Sequence, residues 1–372
     1  MVDLYSQHLK IKTEIEEAIN NCILNSSFIG GEQVNLLNEN LASFLGINNV
    51  MSCANGTDAL QLAIMALNLP KDAEIIVPNF TFVAPAEVVA LLGYKPIFAD
   101  VSETTYNISP ESILENISSK TKAIVVVHLF GQSADMKGIL EIAEKHHLWV
   151  IEDVAQSLGA QFIDIDNKPR YAGTLGHIGT TSFFPTKNLG AMGDGGAVFC
   201  NDDAIASKIK ILANHGSIVK YNYQEIGINS RLDNLQAAIL NVKFKYFSSY
   251  IEQRKAVAQR YNSILASANN KNIVLPQHNN SSPHTYNQYT IQIPFRDQIK
   301  NHLFEHNIPS MIYYPSTLSS HHAYNKYKTS ATPNAEYLSK HVLSLPMHPE
   351  LDEEQIAFIC KNLLLGLEIF SK

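Results

Sequence analysis

The sequence predicts an α/β protein: a larger N-terminal domain built on a mostly parallel sheet, followed by a smaller C-terminal α/β domain. Three observations carry this. The apolar runs between residues 55 and 200 are short, continuous and rich in β-branched residues, as in strands buried on both faces. They alternate with helical patterns, which gives parallel pairing inside helical layers. After residue 240 the character changes to a long helical stretch and polar connections, so the domains are placed at 1–242 and 243–372.

Residues 8 to 22 read as one amphipathic helix, broken after it by Gly30-Gly31. Asn55-Gly56-Thr57-Asp58 is a capped helix start leading into Ala59-Leu60-Gln61-Leu62. Strands are expected at 74–78, 96–98, 123–128, 148–151 and 195–199, and helices at 84–92 and 136–146. Asp100, His128 and Asp153 fall at carboxyl ends of strands, where ligands collect in such sheets. Beyond residue 240, a helix at 244–266 is followed by polar segments at 269–272 and 279–283. A strand at 289–294 and a helix at 298–306 complete the expected elements.

Composition excludes several classes. Hydrophobic content of 45% and charge of 17% are those of a globular chain, not a disordered one. A formal charge of -7 argues against nucleic-acid or anionic-membrane partners. No apolar run is long enough to span a bilayer, and the polar N-terminal segment is no secretory signal. Cys22, Cys53, Cys200 and Cys360 lack metal or disulfide spacing, which suits free thiols and a cytoplasmic location. His146-His147 and His321-His322 lack a Cys/His or HExxH frame, so no metal site is expected.

The chemistry centres on Lys187, in Ser182-Phe183-Phe184-Pro185-Thr186-Lys187-Asn188-Leu189-Gly190. A lysine amine, a carboxylate after a buried strand and a phosphate-ready helix start are the contacts that pyridoxal phosphate needs. Lysine can hold the aldehyde as a Schiff base and then shuttle protons. Asp153, ending Leu148-Trp149-Val150-Ile151-Glu152-Asp153, can keep the pyridine nitrogen protonated; Glu152 alternates to the other face. Gly56 and Thr57 offer N–H groups and a hydroxyl at a helix start, and Ser182 offers another hydroxyl. Phe82 can stack on the ring, and Gln156 can reach its hydroxyl. Taken singly each has a plainer reading: a surface lysine, a helix-capping aspartate, an ordinary capped start, a core aromatic, a solvent-facing glutamine. The glycines at 190, 193, 195 and 196 precede a strand and are followed by no GK[ST], so they are not a dinucleotide or P-loop.

These residues, in this order, resemble the sugar aminotransferases of the DegT/DnrJ/EryC1/StrS family. The likeness runs through ANGTDAL at 54–60, VPNFTF at 77–82 and IEDVAQSLGA at 151–160. It continues through SFFPTKNLGAMGDGGAVF at 182–199, GINSRLDNLQAAIL at 227–240, IYYP at 312–315 and LPMHPEL at 345–351. The resemblance implies a type I aminotransferase fold, pyridoxal 5'-phosphate bound through Lys187, and a homodimer with shared active sites. By motif, Asp153 meets the pyridine nitrogen, Gln156 the ring oxygen, Gly56, Thr57 and Ser182 the phosphate, and Phe82 stacks. Asn229 is expected to reach the phosphate of the neighbouring subunit's cofactor. L-glutamate is the implied amino donor. Lysine rather than histidine at 187 favours transamination over the family's dehydratase branch. VHLFGQSADM at 127–136 and KNLGAMGDGG at 187–196 are similar to members acting at C3 of a nucleotide-linked 3-ketohexose, while SCANGTDALQ at 52–61 and SFFP at 182–185 are similar to those taking UDP-2-acetamido-3-oxo-uronates for surface polysaccharides such as O-antigen. A dTDP-linked 3-keto-6-deoxyhexose or a C4 ketone is the alternative substrate, and a non-catalytic cofactor-binding regulator the alternative class. Arg231 is placed by its motif to meet a substrate carboxylate, with a structural role as its alternative; His215, Tyr313 and Tyr314 are further pocket candidates. Tyr313 stands where some uronate-type members have histidine, and Thr317-Leu318-Ser319 replaces the usual Pro-Leu-His.

Overall fold

A computed structural model describes residues 1–163, 168–277, 281–327 and 330–371. Asn279 and Asn280 of the expected polar segment lie outside the described residues. The chain opens with helices α1 (Leu4–Lys10), α2 (Lys12–Leu24) and α3 (Glu32–Leu45). Strand β1 (Asn49–Cys53), α4 (Gly56–Ala66), β2 (Glu74–Pro78), α5 (Ala84–Leu91) and β3 (Lys95–Ala99) follow. The alternation continues with α6 (Pro110–Glu115), β4 (Thr121–Val127), α7 (Met136–His146) and β5 (Trp149–Asp153). A small antiparallel pair, β6 (Gln161–Ile163) and β7 (Pro169–Tyr171), precedes β8 (Ile178–Ser182) and β9 (Gly196–Cys200). Next come α8 (Asp203–Ala213), a second small pair, β10 (Ser217–Val219) with β11 (Asn222–Tyr223), and helices α9 (Asn234–Phe244) and α10 (Phe247–Ser267). The remainder holds β12 (Tyr289–Gln292), α11 (Arg296–Glu305), α12 (Pro333–His341), β13 (Val342–Leu345) and α13 (Glu353–Phe370).

The main sheet has seven strands in the order β1-β9-β8-β5-β4-β2-β3. Only β9 runs antiparallel to its neighbours, so the sheet is mixed but mostly parallel, as expected. The continuous apolar runs are explained by what lies on each side. In β4, Ala123 and Val125 join the core under α4, α5 and α8, while Ile124 and Val126 join the core under α6 and α7. Burying each such valine or isoleucine contributes about 1.5–3 kcal/mol, so neither face tolerates a polar residue. A separate core unites α10, β12, α11, β13 and α13 around Tyr261, Tyr289, Leu343 and Leu363. The expected boundary at 242/243 falls in the last turn of α9.

Several local expectations need correction. The single helix at 8–22 is two, because Ile11 leaves helical geometry between α1 and α2 and buries its side chain instead. The helix expected from 244 begins at Phe247, after α9 ends. Strand β8, Ile-Gly-Thr-Thr-Ser, carries one aliphatic residue and escaped an apolar-run criterion, although it sits in the middle of the sheet. Asp100, at the end of β3, is not part of the chemistry. Its carboxylate accepts from the backbone N–H groups of Asn334 (3.1 Å) and Ala335 (2.9 Å), capping α12. Asn79, just past β2, donates to Ser319 and Thr332 hydroxyls, both at 2.8 Å, across the same junction.

Candidate active site

Strand register assembles the site. Asp153 on β5 pairs with Thr180 on β8, and Ser182 on β8 pairs with Gly196 on β9. Gly196 pairs in turn with Cys53 on β1, whose chain turns at once into α4. A methyl group on Gly196 would lie 2.4 Å from the Asn55 carbonyl oxygen, and one on Gly56 would lie 2.6 Å from Ser182 Cβ. Glycine at both positions therefore lets the α4 start sit directly on Ser182. The Asn55 side chain caps α4 by accepting from Asp58 N–H at 2.8 Å. Among the described residues, the N–H groups of Gly56 and Thr57 have no protein acceptor and point outward from the positive end of the helix. The start of α4 at Gly56-Thr57 and the distant Ser182 are thus brought together in one corner whose donors suit an anion.

Lys187 follows in the loop after β8, and its backbone N–H bonds to Phe184 O at 2.9 Å. Burial pushes its ammonium below the ordinary lysine range, opposed by the charge of Asp153. Burial conversely raises the Asp153 carboxyl above its usual range, against the Ala155 N–H (2.9 Å) and the charge of Lys187. Asp153 is thus a buried carboxylate short of donors, suited to a cationic ring N–H. Phe82 is 55% exposed after β2. That is unlike the buried core aromatic of its plainer reading. An orphaned Thr181 hydroxyl, buried beside Ser182, adds an unused polar group. This set of amine, carboxylate, anion corner and open aromatic face fits pyridoxal phosphate.

Gln156 is buried, which excludes the solvent-facing reading. Its carbonyl accepts from Phe130 N–H (2.9 Å) and its amide donates to the Tyr314 hydroxyl (2.8 Å). Its orientation is therefore fixed, with one amide N–H left over. Tyr314 lies in this inner layer, whereas half-buried Tyr313 borders a cavity of about 200 Å³ with Thr186, Asn287, Gln288 and Met347. His215, Asn229 and Arg231 form a separate exposed group. His215 N–H bonds to Ile228 O (2.9 Å), Asn229 bridges Asn214, and Ser230 accepts from Ala54 N–H (3.1 Å). That group borders the start of α4 through the Ser230–Ala54 bond.

Sequence reasoning set His128 at a ligand-collecting strand end and Glu152 on the face opposite Asp153, as a weaker candidate for the ring nitrogen; the structure pairs them, fully buried, at 2.8 Å. Ala134 N–H donates to His128 Nδ1 (2.9 Å), so the ring proton sits on Nε2 and is given to Glu152. Glu152 also accepts from Gly173 and Leu175 N–H, both at 2.8 Å. Burial opposes its ionisation, but these donors outweigh it and hold the carboxyl below the ordinary range. The signal available was an acid at an inward position of an apolar strand, which demands a buried partner.

A sequence profile described as the DegT/DnrJ/EryC1/StrS aminotransferase family matches residues 9–364. A "Pleiotropic regulatory protein" of Geobacillus stearothermophilus is 40% identical, covering 98% of this chain and 97% of the relative. The UDP-2-acetamido-2-deoxy-3-oxo-D-glucuronate aminotransferase of Pseudomonas aeruginosa is also 40% identical, covering 97% and 98%. A UDP-N-acetyl-3-dehydro-α-D-glucosamine 3-aminotransferase of Acidithiobacillus ferrooxidans is 42% identical, covering 96% and 95%. Among solved structures, NtdA of Bacillus subtilis with bound cofactor PMP superposes with a TM-score of 0.89 at 30% identity, covering 96% of this chain and 82% of that one.

Proposed function

Because the chain belongs to the DegT/DnrJ/EryC1/StrS family of pyridoxal phosphate-dependent aminotransferases, we propose that it moves an amino group from L-glutamate to the C3 ketone of a UDP-linked sugar. The observation that carries this reading is the convergence of Lys187, Asp153 and the Gly56–Ser182 corner at one end of the sheet. The C3 position and the UDP carrier are supported by two relatives at 40% and 42% identity whose names specify both. A 3-oxo-uronate is the favoured sugar, with Arg231 as a bidentate partner for its carboxylate.

When bound, the cofactor withdraws electrons from the reacting carbon and carries the amino group between the two substrates. The chain's residues do the rest. Lys187 Nζ, held below its usual basicity, anchors the cofactor and then takes a proton from the donor's α-carbon and returns one to the sugar carbon. Asp153 keeps the ring nitrogen protonated. Gly56, Thr57 and Ser182 hold the phosphate, Phe82 covers one ring face, and the remaining Gln156 N–H meets the ring oxygen. Tyr313, and His215 and Arg231 from the exposed group, face the sugar, while Tyr314 steadies Gln156.

A homodimer is part of this reading. Ile218, Val219, Tyr221, Tyr223 and Ile226 are 62–92% exposed in and after the β10–β11 pair, beside Asn229 and Arg231. A second copy covering these side chains would bring Asn229 to its neighbour's phosphate corner. A cytoplasmic role in surface-polysaccharide synthesis accords with a UDP-sugar substrate; among the described residues no helix is long and apolar enough to cross a membrane.

The test is a panel of UDP- and dTDP-linked 3- and 4-ketosugars with glutamate as donor. Amination at C3 of the UDP substrates is expected, and turnover of C4 ketones alone contradicts the proposal. The relative named as a regulatory protein supports a second reading, a cofactor-binding regulator. It gains if cofactor-loaded protein aminates no ketosugar in the panel.

A further inference from the structure

We infer that Lys243 and Gln236 are positioning residues for the reaction, with helix α9 bracing the loop that carries Lys187. The inference rests on Lys187 being the cofactor-linking amine. Residues 236 and 243 lie two turns apart and project from one face of α9. Lys243 Nζ donates to the Gly190 carbonyl at 2.7 Å. Gln236 takes Met192 in both directions, accepting from its N–H at 2.9 Å and donating to its carbonyl at 3.4 Å. The loop itself is closed at its base by Ala191 N–H to Phe183 O at 2.7 Å. Within it the chain doubles back so tightly that a methyl group on Gly190 would lie 2.3 Å from Pro185 O. Gly190 thus packs directly on Pro185, and Lys187 lies between them in the chain. Whatever holds the Gly190 carbonyl sets where the amine stands.

The brace is anchored in turn. Asn234 Nδ2 donates to Ser27 O (3.0 Å) and Asn241 Nδ2 to Gln33 O (2.9 Å), fixing both ends of α9 to the N-terminal helical segment. Lys243 is a poor choice for stability alone. It is 6% exposed, and among the described residues it forms no ion pair with a carboxylate. Among the described residues its Nζ donates to the Gly190 carbonyl alone. Burial accordingly lowers its ammonium to about 8. A buried charge without a counter-charge costs free energy that an apolar side chain of the same shape avoids. Its contact with the Lys187 loop accounts for a lysine there.

The test compares wild type with Lys243→Met, Gln236→Leu and a control, Lys245→Ala, whose residue only pairs with Glu14 at the surface. The rate of covalent capture of pyridoxal phosphate is followed by visible absorbance and borohydride trapping. Affinity for pyridoxamine phosphate, which has no aldehyde, reports the non-covalent contacts alone. Folded Lys243→Met, melting no lower than wild type, should capture the aldehyde about tenfold or more slowly. Its pyridoxamine phosphate affinity should stay unchanged, Gln236→Leu should behave alike, and Lys245→Ala should match wild type. Wild-type capture rates in folded Lys243→Met and Gln236→Leu overturn the inference, as does an equal loss of pyridoxamine phosphate affinity. If Lys243→Met does not fold, Gln236→Leu alone decides. If wild type captures no aldehyde at Lys187, the reading of Lys187 fails instead.

Discussion

Asp153 combines a useful defect with a cost. Its carboxyl is raised from the ordinary value of 3.8 chiefly by burial. Between that value and the raised one, the folded chain holds a proton that the unfolded chain has lost. Stability therefore falls as pH rises through the window, and at neutral pH the ionised group is a net burden without a cationic partner. Cofactor-free Asp153→Asn should accordingly melt higher than wild type at pH 7, with the gap closing below about pH 4, where both side chains are neutral. Thermal scans at the two pH values check this; a gap independent of pH contradicts it. The same variant with cofactor should lose about 10²–10³ in kcat, the scale of removing one preorganised electrostatic group. Lys187 and Asp153 were legible in sequence through the long motifs around them, Asp153 also by ending an apolar strand. Glu152, Gln236 and Lys243 were not, because their meaning lies in partners 24, 44 and 53 residues away.

At the scale of elements, strand ends act as fasteners as well as chemistry. Glu152 ties the end of β5 to the His128 loop and to the turn at 173–175, and the His128 loop in turn supplies the Phe130 N–H that orients Gln156. Glu152→Gln replaces an ionised acceptor with an amide that faces N–H donors. It should cost about 3 kcal/mol or more in denaturant unfolding, since hydrogen bonds to a buried charge are worth roughly 1.5–3 kcal/mol each. An unchanged midpoint counts against this. Asp100→Ala should uncap α12 and cost about 1–2 kcal/mol with little change in affinity for glutamate. Of the elements, the apolar strands β2, β4 and β5 and helix α7 were readable from pattern alone. Strand β8 was hidden by its threonines, and α9 by buried Asn234, Asn241 and Lys243, which interrupt its apolar face with hydrogen bonds supplied from elsewhere.

For the whole molecule, the proposed shared site requires a second copy, and the exposed apolar residues from Ile218 to Ile226 are the surface that the proposal assigns to it. Ile226→Asp, at a side chain 92% exposed in the single chain, should not disturb folding but should shift the protein toward monomer in sedimentation. It should also weaken cofactor retention, because Asn229 would lose its neighbour. A monodisperse dimer with full activity rules that arrangement out. Sequence motifs reached this level only through resemblance, since nothing in a single chain's pattern states which surface a second copy covers. The central claim concerns the route of one nitrogen atom. Purified protein should be incubated with cofactor, ¹⁵N-labelled L-glutamate and a UDP-linked 3-ketosugar, and the sugar product examined by NMR. The account predicts ¹⁵N bonded to C3 with wild type and none with Lys187→Ala; label absent from the sugar, or incorporated equally well by the Lys187→Ala protein, contradicts it.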